Sequence, residues 1–203
     1  MNPQNFFNIF LSKASLILMV LGLLLLSRMP AYGQVTVVQA PLPDTTGEQQ
    51  VIVILVNFQD NTSQPFSVAM ANDVVFNQMN AYYSEASYQK AWLTGTVVGW
   101  YTLPMTIGTS CPPTSQILNE AVKAADPNVN FNNYGRIIVM FPGISVCYYG
   151  GVATLGKGTV NTNDGTISAS TVWINSNYLI LSTIGHEFGH NLGLLHARDF
   201  DCG

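Results

Sequence analysis

The stretch His186-Glu187-Phe188-Gly189-His190-Asn191-Leu192-Gly193-Leu194-Leu195-His196 holds all 3 histidines of a chain of 203 residues. His186 and His190 stand four apart, so on an α-helix both project from one face, one turn above the other. Two imidazoles so arranged can reach a single ion at about 2.0–2.1 Å, the length of a histidine–zinc bond. Glu187 lies on the same helix beside that face, where it can hold and deprotonate a water at the metal without ligating it. Gly193 follows His190 by three residues and tolerates the left-handed backbone of a sharp turn. That turn brings His196 back to the ion as a third ligand. Three protein ligands leave one zinc position open, which marks a catalytic site rather than a structural one. A lone histidine on an apolar helix is ordinarily a core residue with its ring nitrogen satisfied. Three of them with a glutamate, among Phe188, Leu192, Leu194 and Leu195, would be costly to bury without a partner, and Zn2+ is that partner.

Working outward, Asn175-Ser176-Asn177 supplies cap residues for a helix from about Tyr178 to Leu192. Short strand candidates punctuated by glycines fill Ile144 to Asn175, the last being Thr171-Val172-Trp173-Ile174. Arg136 to Phe141 is an apolar strand ended by Pro142-Gly143. A helix starting at Pro112-Pro113-Thr114-Ser115 runs to about Ala125 and is stopped by Pro127. Leu93 to Leu103 reads as a strand with a bulge or bend at a glycine. Ser63 to Lys90 carries Phe66, Met70, Val74, Met79 and Tyr82 near helical spacing and is mostly helix. Val51-Ile52-Val53-Ile54-Leu55-Val56-Asn57-Phe58 is the continuous β-branched run of a strand covered on both faces. Strands alternating with helices predict a mixed α/β (α+β) sheet with helices packed against it.

Residues 1–33 read as a secretory signal peptide: Lys13, the apolar run Leu16 to Leu26, then Ala31-Tyr32-Gly33 before a cleavage site at Gln34. The run is short for a membrane span of about 20 residues, so no stable insertion is expected after cleavage. Residues 34–50 read as a linker or short pro-segment, and 51–203 as the catalytic domain. Hydrophobic residues are 48% and charged residues 9% of the chain, with a formal net charge of -4. No basic stripe is present to neutralise phosphates, which excludes nucleic acid as a partner. Export implies an oxidising compartment. Cys111 and Cys147 sit at the ends of neighbouring elements and are expected to pair, leaving Cys202 without a partner in this sequence.

The spacing His-Glu-x-x-His-x-x-Gly-x-x-His is the metzincin pattern. The chain resembles the metzincin zinc metalloproteases and, within them, the gametolysin-like peptidases. The further segments that carry the resemblance are Val51 to Asp60, Tyr82-Tyr83-Ser84-Glu85-Ala86-Ser87-Tyr88, and Thr94-Gly95-Thr96-Val97-Val98-Gly99-Trp100-Tyr101. It implies the N-terminal subdomain of a zincin: a twisted, mixed five-stranded sheet with two main helices, the second carrying the zinc motif. It also implies a substrate cleft along an edge strand somewhere in Tyr148 to Val160. The expected protein is a secreted, monomeric zinc endopeptidase with protein or peptide substrates. His186, His190 and His196 are its ligands and Glu187 is its base. Metzincins carry a methionine turn downstream of the third histidine, whereas this sequence ends at Gly203 with no methionine after the motif. The expectation is therefore a catalytic domain whose C-terminal subdomain is missing and whose activity alone is poor. The alternatives are a non-catalytic zinc-containing extracellular binding module and an inactive truncated product.

Overall fold

The computed structural model describes residues 44–196. The expected signal peptide, most of the linker and Cys202 lie outside them. The first strand, β1 (Gly47–Phe58), begins four residues before the β-branched run that announced it. Val51 through Val56 are fully buried, because both faces of the strand are covered. Alternation sorts its side chains: Ile52, Ile54, Val56 and Phe58 enter one core, and Val51, Val53 and Leu55 enter the other.

The second core is closed by two helical elements. One is α1, a continuous run over 68–86 that passes from Val68–Asn72 through a π-helical Asp73–Met79 to Asn80–Ala86. It starts later than Ser63 because the Ser67 hydroxyl accepts from the Met70 amide at 3.1 Å and so caps the first turn. The other is the helix Leu181–Asn191, which carries the histidine motif. Between α1 and that helix in sequence lies α2 (Thr114–Ala125), whose Ile117, Leu118, Ala121, Val122 and Ala125 cover the opposite face of the sheet. The helix of the motif is α3. The architecture is thus three layers; all three helices were expected from the residues themselves, whereas the resemblance implied two main ones.

Six strands form the sheet in place of the expected five. Besides β1 they are β2 (Ala91–Leu103), β3 (Arg136–Phe141), β4 (Gly151–Ala153), β5 (Gly158–Thr162) and β6 (Gly165–Asn175). The order is β2-β1-β3-β6-β4, with β5 also paired to β6. Ladders among β2, β1, β3 and β6 are parallel, and β4 and β5 run antiparallel to β6. The additional strand is the product of the Asn163-Asp164-Gly165 turn, where a pairing of Thr162 with Gly165 closes a tight hairpin. The fold is the mixed α/β arrangement of a metzincin-like zincin. β2 bends at Gly95 and Gly99, as its glycines suggested; a Cβ at either would run into the carbonyl of Val51 or Leu55 on β1, and the β1–β2 register shifts beside the second. Among the described residues no helix is long and apolar enough to cross a membrane.

Cys111 and Cys147 are joined, with Cα atoms 4.8 Å apart. The bridge ties the segment before α2 to the loop after β3.

Candidate metal centre

α3 starts at Leu181, three residues later than expected, and its N-cap position, Ile180, offers no side-chain hydrogen bond. The three polar residues read as caps do other work. Asn175 and Asn177 bind the loop after β3, the latter accepting from the Gly143 amide at 2.8 Å. Ser176 closes a local turn with Tyr178. α3 ends in a Schellman turn. The Leu194 amide donates to the Gly189 carbonyl at 3.0 Å and the Gly193 amide to the His190 carbonyl at 2.9 Å, with Gly193 at φ 86. Gly189 makes room for this: a Cβ there would stand 3.3 Å from the Tyr83 hydroxyl and 3.4 Å from Leu194 Cδ1. The chain therefore reverses three residues after His190, and His196 folds back over the helix.

The result brings the three histidines together. His196 Nε2 lies 3.1 Å from His186 Nε2 and 3.1 Å from His190 Nε2, and the three rings form one cluster of potential ligands. Nitrogens bound tetrahedrally at 2.0–2.1 Å to one zinc are about 3.3 Å apart, so the spacing suits a shared ion. Hydrogen bonding explains it less well, since one N–H on His196 cannot point at two acceptors. His190 Nδ1 is 2.7 Å from the Leu194 carbonyl. The carbonyl can only accept, so Nδ1 carries the proton and Nε2 presents its lone pair inward. The donor set, three imidazoles with no thiolate, fits zinc.

Glu187 is not one of the clustered ligands; its side chain packs against the sheet edge beside them. It is 8% exposed, and its carboxylate makes no hydrogen bond among the described residues. Gly151 of β4 lies against it: a Cβ there would be 2.5 Å from Glu187 Cγ and 3.0 Å from Cδ. β4 closes the strand order, so the edge strand expected between Tyr148 and Val160 exists and runs beside Glu187.

Three residues that shape the site carry no motif. Asn191, the last residue of α3, donates from Nδ2 to the Thr154 carbonyl at 2.9 Å and the Thr171 carbonyl at 3.1 Å, pinning the helix end to the sheet edge. Arg136, 2% exposed, donates from Nη1 to the Asn191 carbonyl and to Ser170 Oγ, each at 3.0 Å. Its Nε reaches Gln49 Oε1 at 2.7 Å and Nη2 the Asp44 carbonyl at 2.6 Å, while its guanidinium lies 5.4 Å from the Phe188 ring centre. Burial pulls its pKa down to about 10, which still leaves a positive charge at the negative end of the helix dipole at neutral pH. The third is Asn175. Tyr83 joins α1 to α3, its hydroxyl donating to the Gly185 carbonyl at 2.6 Å, and burial raises its pKa. A cavity of about 760 Å³ beside the histidines is walled by Tyr82, Tyr83, Leu181, Leu194 and Leu195.

Fold and ligand geometry together define a class, the zincin-type metalloproteins with a histidine triad on and after a helix. Residues 97–197 match the family model described as Metallo-peptidase family M12B, Reprolysin-like. The match supports a metzincin-type zinc metalloprotease. It does not reach the gametolysin-like subfamily; the first two segments that suggested that subfamily lie before residue 97. No curated protein sequence matches the chain.

Proposed function

We propose that the protein is a zinc-dependent endopeptidase that acts outside the cell on extended segments of other proteins. The observation that carries this reading is the convergence of His186, His190 and His196 on one point, with Glu187 on the neighbouring face of the same helix turn. His186, His190 and His196 would hold the metal through their Nε2 atoms. A bound zinc ion supplies Lewis acidity, which polarises a peptide carbonyl and makes water nucleophilic near neutral pH.

The remaining work belongs to the chain. Glu187 accepts the proton of the attacking water and returns it to the leaving amine, so its carboxylate is regenerated in each cycle. The wall that β4 sets against Glu187 keeps that carboxylate in one orientation. The open edge of β4 offers backbone groups that an extended peptide can pair with as an added strand. The cavity between α1 and α3 is apolar and suits an uncharged side chain of that peptide.

The test uses the purified protein with a casein or gelatin substrate and metal analysis. Glu187→Gln is expected to lose hydrolysis by at least a hundredfold and keep zinc near one per chain. His190→Ala is expected to lose both. Retained hydrolysis in the glutamine variant would exclude Glu187 as the base.

A further inference from the structure

β4 spans three residues and pairs with β6 alone, too little to hold a backbone by itself. Yet it is the wall of the Glu187 side chain. The loop that delivers it, residues 142–150, has no regular structure of its own, and one buried amide bonds it along most of its length. Asn175, at the end of β6, is 8% exposed. Its Oδ1 accepts from the Ile144 amide at 2.6 Å. Its Nδ2, with two hydrogens to give, donates to the Tyr149 carbonyl at 2.8 Å and shares the other hydrogen between the carbonyls of Ile144 and Cys147, each at 3.2 Å. Its backbone amide donates to the Gly150 carbonyl at 2.9 Å. The side chain thus spans the loop from Ile144 to Tyr149, and Gly151 follows two residues on. The disulfide at Cys147 pins the same loop to the segment before α2.

We propose that Asn175 is a positioning residue for Glu187, fixing the loop so that the Gly151 backbone stands against the Glu187 side chain. This rests on the proposed role of Glu187 as proton carrier. Asparagine supplies both the acceptor and the two donors this loop uses; aspartate accepts but, ionised, donates nothing, and alanine does neither. The clearance at Gly151 leaves no slack, so loosening the loop frees the carboxylate to take other rotamers. Misplacement of about 1 Å at a reacting group is worth up to a hundredfold in rate. The ligands are held mainly from elsewhere, by the Schellman turn, by Arg136 and by the bond of Asn191 to Thr171 on β6, so the metal should not register the change.

Asn175→Ala in the full chain, loaded with zinc, is the test, read by hydrogen exchange with mass spectrometry and by steady-state kinetics. The expected result is at least tenfold faster exchange over residues 147–153 with residues 181–191 unchanged. Alongside it, kcat should fall at least tenfold at unaltered zinc stoichiometry. A purely structural role predicts the reverse: lower thermal stability and zinc loss, with kcat per zinc-loaded molecule unmoved. Unchanged exchange over 147–153, or faster exchange with unchanged kcat, overturns the proposal. If the alanine variant does not fold, Asn175→Ser, which keeps one donor and one acceptor, is read the same way, with the same two results overturning the proposal. A wild-type protein that cleaves no peptide overturns the proposed function and this role with it, a result distinguishable from any seen only in the variant.

Discussion

Gly193 and Gly151 constrain the site in different ways, one through its backbone angle and the other through the space its missing side chain leaves. At φ 86 Gly193 occupies a region that costs an L-residue roughly 1–2 kcal/mol. Gly193→Ala is expected to weaken zinc measurably, by about tenfold in competition with a chelator, because the strain is relieved by opening the turn that returns His196. Gly151→Ala meets Glu187 directly and is expected to lower kcat by tenfold or more while zinc content stays near one, checked by metal analysis beside the kinetics. The histidine cluster and the turn at Gly193 were legible in the sequence because both depend on spacing within a dozen residues. Asn175 and Asn191 were not, since their partners are carbonyls 20 and more residues away and an amide carries no sign of which distant loop it will bind. Asn175 was read as a helix cap, its commonest employment.

Among the elements, α3 depends most on others for its position. Its N-terminus lacks a side-chain cap, so it is held by Tyr83 at Gly185 and by Arg136 and Asn191 at its end. Arg136→Met is expected to destabilise the protein by about 2–4 kcal/mol in urea unfolding, because it strips donors from the buried Asn191 carbonyl and the buried Gln49 side chain. Zinc affinity should fall with it. The strands Val51 to Phe58 and Arg136 to Phe141 and the helix Thr114–Ala125 could be read from apolar periodicity and proline punctuation. The β5–β6 hairpin was missed as a unit because its exposed, polar Gly158–Thr162 strand has little hydrophobic alternation. The start of α1 was placed too early because Phe66 fits the apolar spacing while only the Ser67 cap sets the first turn.

For the molecule as a whole, acid and reductant are the informative perturbations. Hydrogen bonds and an ion pair from Lys157 hold Asp44 below the usual carboxylate range, the Ile107 amide does the same for Asp60, and Asn77 and Gln78 for Asp73. Carboxyls depressed in the folded state contribute stability above their unfolded values, and that contribution is lost as pH falls through the folded ones. The urea midpoint should therefore decline from about pH 4 downward, and Asp60→Asn should flatten the decline. Reduction of Cys111–Cys147, with a sequence separation of 36, should lower stability by roughly 3–4 kcal/mol, seen as a shifted thermal midpoint.

The strand order also has a kinetic meaning. Each parallel ladder, β1 with β2, β1 with β3, and β3 with β6, joins strands that stand far apart in the chain, so loop-closure entropy must be overcome before any of them is rewarded. β4 can dock only once β6, the strand it pairs with, is in place. Refolding should then proceed in milliseconds to seconds rather than microseconds, with the wall beside Glu187 among the last parts to assemble. Until β2 and β3 have paired with it, Val51 to Phe58 is an uncovered strand open to pairing with another chain, and dilution rather than higher temperature is the condition that should raise the yield.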